Sequence, residues 1–266
     1  HPVRAQKIMK KLALIFLAGA MALSSCSSKH EPWKLVWTED FNAAAIDDST
    51  WTRVERGRSD WNDMMSLRSD LAFIENGELV LLGKVNNNPE ADPTPFVTGG
   101  ITSRDKKSFR LARFEIRARF NCAKGFWPAL WLMPQGPMKG NDYAEIDIME
   151  HLNHEDIAYQ TVHSRYTLDG KEGPVKGNST PIDPNDWNTY GVEVHQDSIC
   201  LFINDTRTFA YPRMEGVEQQ FPWPDYDMYM IISNQLGGKW VGPIEASELP
   251  SELRVDWIKV YERNEE

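Results

Sequence analysis

Apolar and polar positions alternate with a period of two in many short stretches of this chain, and no long stretch carries a helical period. Across 109–120, Leu111, Arg113, Glu115, Arg117 and Arg119 fall on one side, and Ala112, Phe114, Ile116, Ala118 and Phe120 on the other. That pattern predicts a strand with one buried face. Leu79 to Leu82 follow Glu75-Asn76-Gly77-Glu78, and Asn-Gly favours the tight turn of a hairpin. Positions 190–194 and 198–203 flank a polar turn and predict a second hairpin, while 228–233 and 253–261 predict further strands. Strand-length pieces at short spacing predict an all-β chain arranged as a sandwich.

The amino-terminal residues stand outside this pattern. Met9-Lys10-Lys11 and an apolar run at 12–23 read as the charged and hydrophobic parts of a signal peptide. Leu23-Ser24-Ser25-Cys26 resembles a bacterial lipobox, which would make Cys26 a lipidated residue. The apolar run is too short to span a bilayer permanently. The expected organisation is therefore upstream residues and signal peptide at 1–26, a polar tether at 27–32 and one domain at 33–266. A lipid anchor at Cys26 would be the only link to a membrane, placing the protein at a bacterial cell envelope or outside the cell.

Composition narrows the partners. The net charge is −10 and no basic run stands out, which argues against nucleic acid and suits an uncharged glycan. The ten Trp exceed what a core alone requires, and aromatic rings stack on the apolar faces of sugars. Beyond Cys26 only Cys122 and Cys200 remain, as a pair or as two thiols. The chain is expected to act as a monomer.

The densest chemistry lies in Glu145-Ile146-Asp147-Ile148-Met149-Glu150. On a strand, Glu145 and Asp147 share one face and Ile146 and Ile148 the other. Glu150 has the wrong parity, and one extra residue near Met149, a β-bulge, would return it to the face of the other acids. Its Cα would then lie about 13 Å from that of Glu145, at ~3.3 Å per residue. Two Glu side chains leaning together could close that to about 5 Å, the carboxyl separation of retaining glycosidases. Crowded acids raise one another's pKa, which gains a structural strand nothing. It supplies a hydrolase with one ionised and one protonated carboxyl.

This segment resembles the E-x-D-x-x-E active-site strand of glycoside hydrolase family 16, in its bulged, laminarinase-like branch. The family includes laminarinases, lichenases, agarases, porphyranases, carrageenases and endo-β-galactosidases. Other segments are similar to family motifs in family order, from about 33 to 262. They are Trp37-Thr38-Glu39-Asp40-Phe41, Gly125-Phe126-Trp127-Pro128-Ala129-Leu130-Trp131-Leu132-Met133, Thr161-Val162-His163-Ser164, Gly237-Gly238-Lys239-Trp240-Val241-Gly242 and Val255-Asp256-Trp257-Ile258-Lys259-Val260-Tyr261.

The resemblance implies a jelly roll of two curved antiparallel sheets with a substrate cleft on the concave one. It implies Glu145 as nucleophile, Glu150 as general acid/base, and Asp147 sharing a proton with Glu145. Trp127 and Trp131, of equal parity, are expected in the cleft, with His163 near Glu150 and with Trp240 and Asn234 as wall residues. Asp40 and Asp256 match a structural calcium site, and catalysis itself needs no cofactor. Where laminarinases carry an N-E-L-Q-Y-Y-like stretch on the rim, this chain has Ser59-Asp60-Trp61-Asn62-Asp63-Met64-Met65-Ser66. Trp61 would offer a stacking surface there, and Met64 and Met65 adaptable apolar contact. The family's F-H-x-Y appears as Trp187-Asn188-Thr189-Tyr190, without its His. These departures point toward a β-galactosidic bond, as in poly-N-acetyllactosamine, a mucin-type O-glycan or a galactan. The alternatives are an endo-β-1,3-glucanase, a transglycosylase using the same acids, and a carbohydrate-binding module without catalysis.

Overall fold

The structure is a computed structural model and describes residues 33–264. The expected signal segment, Cys26 and the tether at 27–32 lie outside the described residues. One antiparallel sheet has nine strands: β1 (Trp33–Glu39), β3 (Ala72–Glu75), β4 (Glu78–Val85), β5 (Phe96–Thr98), β8 (Arg113–Asn121), β13 (Asn188–Val194), β14 (Ser198–Ile203), β15 (Thr206–Pro212) and β17 (Ser251–Arg263). The other has eight: β2 (Thr52–Arg53), β6 (Gly100–Thr102), β7 (Ser108–Phe109), β9 (Phe126–Pro134), β10 (Ala144–Glu150), β11 (Ile157–Ser164), β12 (Gly177–Pro181) and β16 (Met228–Leu236). The first runs β15-β14-β13-β8-β17-β4-β3, with β1 added on β17 and β5 on β4. The second runs β12-β11-β10-β9-β16-β6-β2, with β7 on β16. This is the two-sheet jelly roll that the strand pattern and the resemblance imply.

Alternation decides what each sheet buries. Phe114, Ile116 and Ala118 of β8, Leu79 and Leu81 of β4, and Leu253, Val255, Ile258 and Val260 of β17 point inward from the nine-stranded sheet. They join Leu130 and Leu132 of β9, Ile146 and Ile148 of β10, and Met230 and Ile232 of β16 in one core cluster. Each such side chain contributes about 1.5–3 kcal/mol by leaving water. The hairpin between β3 and β4 turns on Asn76 and Gly77, both left-handed at φ 53° and 74°, as the Asn-Gly pair predicts.

Two expectations change, and one question left open by the sequence is answered. The single strand expected across 109–120 is two. The chain takes a left-handed step at Leu111 (φ 49°) and crosses between sheets there, so β7 pairs with β16 while β8 pairs with β13 and β17. Phe109 and Leu111 pack on the core from odd positions and Ala112 and Phe114 from even ones, so the phase of the alternation shifts at the crossing. Arg113, on the polar side of the pattern, is only 5% exposed. Its guanidinium pairs with the buried Glu193 and with Glu115, and stacks over Phe202 at 4.9 Å from the ring centroid. Cys122 is a free thiol, so it does not pair with Cys200.

Candidate active site

A cleft of about 600 Å³ crosses the outer face of the eight-stranded sheet. Its floor is set by parity: Trp127, Ala129, Trp131 and Met133 from β9, Tyr229, Ile231, Ser233 and Gln235 from β16, and Thr161 and His163 from β11. From β10 come Glu145, Asp147 and Glu150. The pairing of β10 with both neighbours slips just after Asp147, against β9 before Met149 and against β11 before Glu150. This is the bulge that the spacing predicts. Ile146, Ile148 and Met149 are all fully buried, so the extra residue adds an inward side chain while Glu150 returns to the cleft.

The bulge leaves the Ile148 carbonyl without a regular ladder partner. Gln160 of β11, itself fully buried, supplies one: its Nε2 donates to Ile148 O at 2.9 Å and to Phe202 O, in the opposite sheet, at 3.2 Å. Thr208 Oγ1 donates to Gln160 Oε1. A buried amide with both ends engaged thus braces the bend that aims Glu150.

The three carboxyls occupy distinct surroundings. Glu150 accepts a hydrogen bond from Trp127 Nε1 at 3.1 Å. Burial pushes its pKa well above the ordinary Glu range, with the Trp127 bond opposing. Asp147 is 4% exposed, and burial and the Glu145 charge raise its pKa well above normal, so it holds a proton beside Glu145. Glu145 accepts from the Tyr143 hydroxyl through Oε2, while its Oε1 lies 3.8 Å from His163 Nε2. His163 Nε2 is 3.1 Å from Asp147 Oδ2. Burial lowers the His163 pKa, which favours the neutral ring over a formal ion pair with Asp147. One polar atom from each of Glu145, Asp147 and His163 lies within 4.8 Å of the others. The site therefore sets a carboxyl whose protonated form is favoured by burial, Glu150, beside a compact cluster around Glu145.

Aromatic side chains wall both ends. Trp240, 48% exposed, meets Trp127 edge-on at 5.8 Å and Tyr159 at 5.1 Å. It sits in a turn where Gly238 has φ 139°; a Cβ there would stand 3.4 Å from Trp127 and 3.5 Å from Asp60, in a backbone shape few side chains adopt. At the other end Trp61 packs edge-on against Trp131 at 4.8 Å, and Trp131 Nε1 donates to Ser233 Oγ. The rim at 59–66 is tied across the cleft. Asp60 Oδ2 accepts from Lys239 N at 2.8 Å, and Asp63 Oδ1 accepts from Gln235 Nε2 at 2.7 Å.

Several expected site residues lie elsewhere. Asn234 is fully buried with its side chain turned toward the other sheet, where Nδ2 donates to Leu81 O at 2.9 Å. Its neighbours Ser233 and Gln235 face the cleft, as strand parity requires. Met65 is fully buried beneath the rim with Val54 and Ala129, and the cleft lining does not include Met64. The apolar rim contact is therefore that of Trp61. Asp256 sits where the β17 register slips, and its carboxylate is ion-paired with Arg117. Asp40 accepts from the N–H of Asn42 at 3.1 Å. A dication at Asp256 would meet a guanidinium, and neither acid joins a cluster of three or more metal-ligating side chains among the described residues. These residues do not fit the expected calcium. Tyr143, Thr161, Tyr229, Ser233 and Gln235 line the cleft without having been singled out; period-two parity from Glu145 and His163 points to Tyr143 and Thr161, while the β16 residues need the cross-strand register of Trp131 with Ile231.

Known proteins share this sequence and fold. The keratan-sulfate endo-1,4-beta-galactosidase of Sphingobacterium multivorum is 30% identical over 250 residues, covering 92% of this chain; the chain spans 58% of that enzyme's length. A beta-glucanase of Rhodothermus marinus is 28% identical over 278 residues, covering 97% of this chain and 96% of the relative. The X-ray structure of the laminarinase from Rhodothermus marinus superposes with a TM-score of 0.78 at 26% identity, covering 88% of this chain and 98% of that one. The model of glycosyl hydrolases family 16 matches residues 59–259, a span that takes in every residue lining the cleft, from Ser59 to Trp240. The chain belongs to glycosyl hydrolases family 16.

Proposed function

We propose that this glycoside hydrolase is a retaining endo-β-glycosidase that cleaves internal bonds of a glycan. The observation that carries the reading is the bulge of β10, which sets Glu145, Asp147 and Glu150 on one cleft face with Glu150 favouring its protonated form. Glu145 attacks the anomeric carbon as a carboxylate while Glu150 gives its proton to the leaving oxygen. The glycosidic C–O bond breaks and a glycosyl ester forms on Glu145. Water then enters; Glu150, now ionised, takes its proton, and the ester bond to Glu145 breaks with retention at the anomeric carbon. Asp147 keeps a proton beside Glu145, so one negative charge rather than two faces the sugar. No step requires a metal.

For the bond cleaved, we favour a β-galactosidic linkage, as in poly-N-acetyllactosamine, a mucin-type O-glycan or a galactan. Support comes from the rim, where Trp61 lines the cleft in place of the laminarinase pattern, and from the Sphingobacterium relative, whose name describes a β-galactosidase acting on keratan sulfate. Initial rates on laminarin, mixed-linkage glucan, agarose-type galactan and keratan-type glycan test the choice. If laminarin leads by a wide margin, the enzyme is an endo-β-1,3-glucanase. Glu145→Gln and Glu150→Gln should each lose several powers of ten in rate, and NMR of the first product should show the β anomer. An α anomer would refute the retaining mechanism. We also propose a lipid anchor at the cell envelope, a reading supported by the lipobox-like segment, so Cys26→Ser should release the enzyme from membranes.

A further inference from the structure

Tyr143 extends the catalytic face by one step. It lies two residues before Glu145, so it shares the parity of Glu145 and Asp147, and it lines the cleft. Its hydroxyl donates to Oε2 of Glu145. Burial and the charge of Glu145 push the phenol's pKa up, so it stays a donor throughout the range where a glycosidase works. The bland role for such a ring is to fill the wall beside β10. A wall residue, however, would not need its one polar atom aimed at the carboxylate that the mechanism uses.

We propose that Tyr143 is a positioning residue for the nucleophile: its O–H engages Oε2 of Glu145, turns Oε1 toward the anomeric carbon, and stabilises the carboxylate when it leaves the sugar. This inference rests on Glu145 being the nucleophile. In the first step the hydrogen bond orients the attacking group. In the second, charge returns to the carboxylate as the glycosyl ester breaks, and a bond to a charged acceptor is stronger than one to a neutral ester oxygen. The bond therefore favours the second step more than it impedes the first. The other titratable groups around this pair are Asp147 and Glu150 on the same strand, His163 on β11, Tyr229 on β16, and Lys176 and Arg165, whose charges act on Asp147 and Tyr143. Of these, Tyr143 supplies the hydroxyl that bonds Oε2.

The test is Tyr143→Phe, which keeps the ring and removes the donor. On keratan-type glycan, or on laminarin if that is the faster substrate, kcat should fall about tenfold or more with KM little changed. The acidic limb of kcat/KM should move up by about one pH unit, because Glu145 loses a bond to its ionised form. Incorporating 3-fluorotyrosine at 143, a more acidic donor, should move that limb down, a shift that packing alone would not produce. An unmoved limb with kcat within twofold in Tyr143→Phe overturns the proposal. Glu145→Gln with added azide, run alongside, separates the two readings. If Glu145→Gln still turns over, the nucleophile assignment falls and the role of Tyr143 with it. If it is inactive and azide yields an α-glycosyl azide while Tyr143→Phe behaves as wild type, only the role of Tyr143 falls.

Discussion

Trp127 Nε1 donates to Oε1 of Glu150 at 3.1 Å, so a residue of the substrate wall also touches the acid that protonates the leaving group. The bond favours the ionised form of Glu150 and opposes the burial that keeps it protonated. Trp127→Phe removes the donor and retains an apolar wall. The pKa of Glu150 should rise, and the basic limb of kcat/KM, where activity falls as Glu150 loses its proton, should move to higher pH. A limb that moved down or stayed put would assign that titration to another group.

Glu150→Gln should stabilise the fold while abolishing turnover. Between the unfolded Glu pKa of about 4.3 and its raised native value, the native state holds a proton that the unfolded state has lost. Wild-type stability from this group is therefore fully present below pH 4 and declines as pH rises through the window. The cost is about 1.4 kcal/mol for each pH unit over which the extra proton is kept. A neutral amide escapes that penalty. The Tm of Glu150→Gln should equal wild type near pH 4 and exceed it by several degrees at pH 7, as differential scanning calorimetry would show.

Gln160→Leu tests the brace behind the bulge. It removes the amide donor to the carbonyls of Ile148 and Phe202, while the Thr208 hydroxyl keeps Leu201 O as an acceptor. The expected loss is about 3 kcal/mol, read from urea midpoints, together with a drop in kcat at temperatures where the variant is still folded. Lost stability with unchanged kcat would show that the bulge holds its shape without Gln160.

Trp61→Ala probes the rim. If its ring stacks on the substrate, KM for the best substrate should rise about tenfold with kcat within threefold, because the contact binds ground and transition states alike. The ratio of rates on keratan-type glycan and laminarin should also narrow. No change in either would make Trp61 a prop for Trp131 alone.

Strand parity carried the sequence reading wherever one face is wet and the other dry. It gave the two faces of β9 and β10, the cleft positions of Trp127 and Trp131, and, with one added residue, the bulge that turns Glu150 outward. It failed where backbone or partners override the alternation. The left-handed step at Leu111 moves the chain between sheets and shifts the inward face from odd to even positions. Arg113 lies buried because Glu193 neutralises it, a partner 80 residues away in sequence. Asn234, expected as a wall residue from the resemblance, turns to the core, while its neighbours Ser233 and Gln235 face the cleft. Met65 follows Trp61 in a loop, where no period exists to say which side chain turns inward.

The ties from Asp60 to the Lys239 backbone and from Asp63 to Gln235 bear on how specificity can change in this scaffold. The rim at 59–66 and the turn that carries Trp240 are far apart in sequence, yet Asp60 of the rim accepts the backbone N–H of Lys239 in the turn, while Asp63 accepts from Gln235 on the cleft floor. Grafting the rim alone would leave the Lys239 N–H and the Gln235 amide without their carboxylate acceptors, and a turn of another shape would leave Asp60 without the Lys239 N–H. A working exchange of substrate preference has to transplant both segments together, so the cleft's two ends should be inherited as a linked pair.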